Sequence, residues 1–464
     1  MKGLTNVSAT PEQLQIILHN RPGTVVIRGA AGSGKTTTVL LRLRSLVKYW
    51  INRRERHKLN DPVRILALTF NRTLKGYIEE LAKQQIDDIE SLEFTILTFG
   101  KWASDILGEM PADVDRLREK IINLGADISL NPDFLVDEVE YVTGRFLPEE
   151  LEAYLDCERN GRGLSPRVDR SKRQQILEDV IWPYNAWKSE EKLIDWNDIT
   201  VKLIKNPVEP GYDIIIVDEA QDFSANQIRA IKNQLAENNS LTFVLDAAQR
   251  IYPRGFTWKE AGIIIEKAHR LKKNYRNTVE IARFALPLLR NMKIEDDGTL
   301  PDFNSCEQRG PIPIILKGKF SKQMEFAIQY IQKNINLDNE SVVFLHPKGG
   351  GWFSATEQYL DSFGLPYLHI TRQTAWPKGS VNIALCTLHS AKGLEFDHVF
   401  VLGLNQEVTP HGEEEGDDQL NTLRRLLAMG ISRARQSVIL GYKPDKASSL
   451  VEYFDPATYR EICV

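Results

Sequence analysis

The sequence is short of cysteine and histidine and has no long apolar run, and each shortage closes a class of function. Its four cysteines, Cys157, Cys306, Cys386 and Cys463, lie far apart and form no C-x-x-C pair. No zinc ribbon or iron–sulfur cluster is therefore signalled, and unpaired thiols fit a reducing cytoplasm. No apolar stretch reaches the roughly 20 residues that a membrane helix needs, and the N-terminus lacks the basic-then-apolar pattern of a secretory leader. A cytoplasmic chain with no membrane partner is expected. Excess positive charge is also missing: 59 Lys+Arg stand against 63 Asp+Glu, a net charge of −4, so any nucleic-acid surface must be a local basic lining. Repeats and low-complexity tracts are absent. The acidic run GEEEGDD at Gly412–Asp418 reads as a solvated connection rather than a metal site.

What is present is ordinary globular composition, 42% hydrophobic and 26% charged over 464 residues, enough for two or three domains. The densest signal is GAAGSGKTT: Gly29, Ala30, Ala31, Gly32, Ser33, Gly34, Lys35, Thr36 and Thr37. A β-branched run, Thr24–Arg28, precedes it, and helical apolar spacing follows it from Thr38 to Trp50. Strand, glycine-rich loop and helix together make a phosphate cradle, because backbone N–H groups and a helix N-terminus converge there. Lys35 can reach β- and γ-phosphates and Thr36 can hold Mg²⁺. Further buried strands at Val63–Thr69, Phe94–Thr98, Tyr212–Asp218 and Leu241–Asp246 alternate with helices, the pattern of a doubly wound parallel sheet. Between about Ser104 and Ile204 amphipathic helices dominate, a helical insertion. After a polar, linker-like stretch from Glu295 to Arg309, a second α/β series is expected. Its strands are Ile312–Leu316, Val342–His346, Tyr367–Thr371, Val381–Thr387, His398–Leu402 and Ser437–Leu440.

Carboxylates end the strand before DEAQD. There Asp218 can hold Mg²⁺ and Glu219 can polarise an attacking water, at the strand end where open α/β sheets bind ligands. Gln249 reads either as a γ-phosphate sensor or as part of a capping loop. Arg276 and Arg433 read either as charge stabilisers for a transferring phosphoryl group or as surface ion pairs. Phe70, Phe99, Trp102, Tyr252, Phe256 and Trp258 follow strands and suit either base stacking or the core. His389 sits in a polar turn between two apolar strands and in isolation is an ordinary structural histidine.

In this order the segments resemble the UvrD/Rep/PcrA family of superfamily 1 helicases, over about Thr10 to Tyr442. Gln13 matches the adenine-reading glutamine; GAAGSGKT matches motif I. LALTFN (Leu66–Asn71) is similar to motif Ia, ILTFGKW (Ile96–Trp102) to motif Ib, and Asp195–Asp198 to the D-F-D-D element. VDEAQD matches motif II, LDAAQRIY (Leu245–Tyr252) motif III, NYRN motif IV, TLHSAKGLEF motif V, and Arg424–Arg433 motif VI. The resemblance implies an ATP- and Mg²⁺-dependent enzyme moving 3′ to 5′ along single-stranded DNA, or DNA with a 3′ tail. Its roles would be Lys35 and Thr36 on phosphate and Mg²⁺, Asp218 on Mg²⁺ and Glu219 as base. Gln249, Arg276 and Arg433 would contact the γ-phosphate, Tyr275 would stack on adenine and Glu395 would bind the ribose. Phe70, Asn71, Thr98, Phe99, Trp102, Tyr252, Trp258 and His389 would line the DNA track.

The fold so implied has two RecA-like parallel-sheet domains: 1A over 1–103 and 205–278, and 2A over 279–464, with a helical 1B insertion at 104–204. The chain departs from the family's pattern in four places. Motif III begins Leu245-Asp246 and carries Arg250 where Ser is usual, its stacking tryptophan is not at the expected place, Gly100 replaces the motif Ib histidine, and Thr37 stands where relatives often place an arginine. Only Arg372–Ser380 separates two strands where relatives insert the 2B domain, so 2B is expected to be absent; no fused nuclease is expected either. The expected role is DNA repair or defence against foreign DNA, with a nuclease or repair partner. A regulatory subunit gating a partner nuclease, and an NTPase acting on RNA or protein, are the rival readings.

Overall fold

A computed structural model describes residues 9–29, 32–69, 92–159, 166–246, 255–292, 306–371, 379–414 and 417–464. Strands β1 (Gly23–Gly29), β2 (Val63–Thr69), β3 (Leu92–Thr98), β4 (Tyr212–Val217), β5 (Leu235–Leu245) and β6 (Lys267–Leu271) form one sheet in the order β3-β2-β4-β5-β1-β6. Its pairings are all parallel. Val25–Ile27 and Ile214–Val217 are buried on both faces, which is why they read as unbroken apolar runs. The register aligns the strand ends: Gly29 lies opposite Leu271, Arg28 opposite Leu245, and Val217 opposite Phe243. The C-terminal ends of β1, β4 and β5 therefore lie on the same edge of the sheet.

A two-stranded parallel ribbon, β7 (Asn274–Thr278) and β8 (Cys306–Gln308), leads to the second sheet. That sheet contains β9 (Ile314–Lys317), β10 (Val342–His346), β11 (Tyr367–His369), β12 (Ile383–Thr387), β13 (Phe396–Val401), β14 (Ala434–Tyr442) and β15 (Arg460–Cys463), ordered β11-β12-β10-β13-β14-β9-β15. It too is parallel throughout. The protein thus has the two parallel-sheet α/β units that its sequence pattern predicts. β6, β7, β8 and β15 were not expected. The helix that follows β7, Val279–Ala285, continues as a 3₁₀ turn over Leu286–Leu289. β11 and β12 are neighbours joined by residues 370–382.

Between β3 and β4 the described chain is helical and has its own core, built on Phe134, Val139, Tyr154, Ile176 and Val180. It docks on the first sheet through a few buried polar groups. Arg145 pairs with Glu260, and Asn226, in the helix Ala225–Lys232, donates to the Thr143 and Phe146 carbonyls at 3.0 Å each. No described helix is long and apolar enough to cross a membrane.

Asn226 is fully buried, so Asn226→Ala strands two carbonyls without partners. We expect a loss of about 2 kcal/mol and a fall of roughly 4–8 °C in the melting transition of this region, read by calorimetry against the unmodified chain.

Candidate functional site

The loop after β1 is shaped by its glycines. Gly32 and Gly34 sit at φ +78° and +75°, in the left-handed region, which L-residues enter only at a cost. Helix α1 (Pro11–Ile17) comes up beside the loop. Its Gln13 is buried, with Oε1 accepting from Thr10 N at 2.9 Å and Nε2 donating to the Gly34 carbonyl at 3.4 Å. Lys35 and Thr36 open helix α2 (Lys35–His57). Lys35 Nζ donates to the Gly29 carbonyl at 2.8 Å and to Asp246 Oδ2 at 3.0 Å. Asp246 directly follows β5, the neighbour of β1, so the ends of adjacent strands bring the lysine and its counter-charge together.

Asp218 and Glu219 follow β4 on the same edge. Glu219 takes φ 54°, ψ 41°, a strained backbone for a glutamate. Asp218 Oδ1 accepts its N–H at 2.9 Å, and Gln221 Nε2 donates to Glu219 Oε2 at 2.5 Å while Gln221 Oε1 accepts from Asp246 N at 3.0 Å. Burial and the adjacent Glu219 carboxylate push Asp218 up to about 7. Burial alone would raise Glu219 as well, but Lys392, Lys35 and Arg433 override it and hold that carboxyl below its usual range. The pair therefore splits into one carboxyl ready to take a proton and one kept charged.

The second sheet supplies the opposing wall. β13 and β14 are parallel neighbours with Phe396 opposite Ala434, so Glu395, Arg433 and Arg435 converge where these strands begin. Glu395 accepts from Arg276 on one oxygen and, on the other, from Arg435 Nη2 at 2.6 Å and Nε at 3.2 Å. Burial opposes its ionisation, yet the two guanidinium groups bring it down to about 2. Arg433 is buried, its Nε donating to the Met429 carbonyl at 3.2 Å. Burial, together with Arg276 nearby, lowers it to about 10. Lys392 reaches across to the first sheet, paired with Asp222 and 3.6 Å from Glu219 Oε2. Between the walls lies a narrow, open cleft lined by Gly32, Gly34, Lys35, Thr36, Glu219, Arg276, Gly393 and Arg433.

The remaining expected residues fall into three groups. Gly29, Ser33, Thr37 and Tyr275 surround the glycine loop, with Tyr275 N donating to the Gly32 carbonyl at 2.9 Å. Ala30, Ala31, Phe70, Asn71, Gln249 and Tyr252 lie outside the described residues. Of the expected DNA contacts, Thr98 caps the helix Phe99–Leu107 and His389 is exposed on the turn after β12. Trp258 leans on Phe243 with ring centroids 4.8 Å apart. Phe99 and Trp102 require correction: both are buried against Phe223 and Tyr212, with Trp102 Nε1 donating to Tyr212 Oη at 3.2 Å. Three residues apart on a helix, they share its inward face and cannot meet a base as they stand. Trp196 near them is an exposed aromatic ring, and a Cβ at position 100 would meet its edge at 3.0 Å. Lys392, Arg435 and Gln221 were given no role from sequence, because their partners lie on other strands.

Profiles of known families match most of this surface. The UvrD/REP helicase N-terminal domain matches residues 9–272 and the UvrD-like helicase C-terminal domain residues 366–444. The chain belongs to the UvrD/REP helicase family. A probable DNA helicase of Mycoplasma pneumoniae is 23% identical over 95% of this chain and 84% of that protein. A probable DNA helicase II homolog of Mycoplasma capricolum is 24% identical over 70% of this chain and 46% of that one. The exonuclease/helicase subunit RexA of Lactococcus lactis is 25% identical over 37% of this chain and 16% of its own length. As a UvrD/REP helicase the chain is an ATP-dependent enzyme of DNA, and its cleft has the polar groups that a triphosphate requires. Among the described residues no group of three or more His, Cys, Asp or Glu could hold a metal. A divalent cation would rely on Thr36, Asp218 and the phosphates themselves, a hard-oxygen set that suits magnesium.

A Cβ at Gly32 would stand 2.0 Å from Asn274 Oδ1, on a backbone at φ +78°. Gly32→Ala should weaken nucleotide binding by at least about tenfold, measured by titration with a fluorescent ATP analogue, while circular dichroism stays unchanged.

Proposed function

We propose that this chain is an ATP-driven motor that moves 3′ to 5′ along single-stranded DNA. The observation that carries the reading is the cleft wall shared by Lys35, Thr36 and Glu219 from the first sheet, Arg276 from the ribbon strand β7 and Arg433 from the second sheet. A triphosphate between them meets cations on both sides, and release of the cleaved phosphate after hydrolysis removes charge that holds the halves together. Lys35 would leave Asp246 for the β- and γ-phosphates, and Gln13 and Tyr275 would flank the adenine. Thr36 and Asp218 would hold a magnesium ion, which neutralises triphosphate charge. Glu219 would orient the water and accept its proton, kept charged by Lys392 and Gln221. Arg276, released from Glu395, and Arg433 would stabilise charge on the transferring phosphoryl oxygens, with Gln249 as sensor and Glu395 turning to the ribose.

On this reading 1–103 with 205–278, 104–204 and 279–464 act as the 1A, 1B and 2A domains. Thr98, His389, Phe70, Asn71, Tyr252 and Trp258 would follow the strand. The short 370–382 connection supports a motor without 2B and with weak strand separation unless a partner helps, working in cytoplasmic DNA repair or defence. The similarity to a subunit named exonuclease/helicase favours a second reading, in which the ATP cycle gates a partner nuclease. ATPase stimulation without translocation, together with a stable complex, would select it.

Lys35→Ala and Glu219→Gln should each lower single-strand-stimulated ATPase by about 10³-fold with the fold intact; near-normal turnover in Glu219→Gln would remove it as the base. Translocation along single strands should be readily detected while the lone chain opens duplex poorly, and efficient unwinding by the monomer would sink the weak-separation half. DNA affinity should fall steeply with added salt, as a filter-binding series would read; a flat response argues against a groove that follows the phosphates.

A further inference from the structure

Arg433 stands at the junction of the helix Asp418–Ile431 and β14, and the peptide on either side of it is held by one side chain. Asn277 Nδ2 donates to the Ser432 carbonyl at 2.9 Å and to the Ala434 carbonyl at 2.6 Å. Its Oδ1 accepts from Asn274 Nδ2 at 3.1 Å, which fixes the orientation of the amide while both of its protons are donated. Asn274 Oδ1 in turn accepts from the backbone N–H groups of Arg276 and Asn277, at 3.1 Å each. Asn274 also abuts the phosphate loop: Gly32 leaves no room for a Cβ beside its Oδ1, and Tyr275 N is bonded to the Gly32 carbonyl. All of these groups are buried except Tyr275 and Arg276, which are half-buried.

A surface loop needs no such arrangement. Two backbone carbonyls flanking one arginine, closed by the two protons of one amide nitrogen, fix the direction in which that guanidinium leaves the chain. The same short strand, β7, carries Arg276. We propose that Asn277 is a positioning residue for Arg433, and that the Asn274–Asn277 relay registers both cleft arginines against the phosphate loop. A nucleotide that shifts Gly32 would then move the arginines through hydrogen bonds as well as through its own charge. This rests on Arg433 acting at the γ-phosphate.

The test uses the full chain with single-stranded DNA and ATP. Asn277→Ala removes both donations, and Asn277→Ser keeps one donor of shorter reach. The expected result is a fall in kcat of about 10–100-fold for Ala and a smaller one for Ser, with the KM for ATP within about twofold. The deciding measurement is a double-mutant cycle read by single-turnover hydrolysis. With Arg433→Ala already present, Asn277→Ala should cost no more than about twofold, because the group that it positions is gone. Losses that multiply would mark a merely structural asparagine and overturn the proposal, as would normal kcat in Asn277→Ala when Arg433→Ala is crippled. If Asn277→Ala does not fold, the cycle is run with Asn277→Ser under the same criteria. Normal turnover in Arg433→Ala would instead remove the arginine's role at the phosphate, and the relay's purpose with it.

Discussion

Taking a carboxylate out of water is costly unless a cation meets it. Asp222 and Glu219 are both buried on the first sheet, and the ammonium that meets them, that of Lys392, comes from the second. Removing the ammonium would leave two buried carboxylates facing each other's charge, so the two sheets are tied electrostatically beside the cleft that Lys35, Glu219 and Arg433 line. The Arg276–Glu395–Arg435 group repeats the principle a few residues away. A highly charged ligand in such a cleft competes for cations already engaged, so its arrival redistributes existing partners.

That arrangement explains what could be read in the sequence. The phosphate loop and DEAQD are contiguous, and each carries its own chemistry in a handful of adjacent residues. The pairs that tie the cleft are not contiguous: Lys392 and Asp222 are 170 positions apart, and Arg276 and Glu395 are 119 apart. Their meeting depends on strand order, which no local pattern specifies. Strands buried on both faces, such as β1, β4 and β10, announce themselves as unbroken runs of β-branched and aliphatic residues. β15 lies at the sheet's edge, and its Arg460, Glu461 and Cys463 are exposed, so it has no apolar signature. Phe99 and Trp102 looked like base platforms because they follow a strand, but the helix that begins there turns them inward.

The backbone at Glu219 ties strain to function in the same way. A glutamate at φ 54° persists only where its surroundings over-determine it, and here Asp218, Gln221 and Lys392 do so together. Gln221 also bonds the N–H of Asp246, the first residue past β5, so the Glu219 carboxylate and the end of β5 share one hydrogen-bonded support. Displacement of one is felt by the other without an intervening rigid body.

The contact between Gly100 and Trp196 has a consequence for how this surface can change over time. A Cβ at position 100 would meet the edge of this indole at 3.0 Å, so the ring must give by a few tenths of an ångström to admit one. Trp196 is exposed and has solvent to turn into. A side chain gained at 100 is therefore accommodated by reorienting the one aromatic ring that stands over it, which couples the identity of one position to the pose of the other.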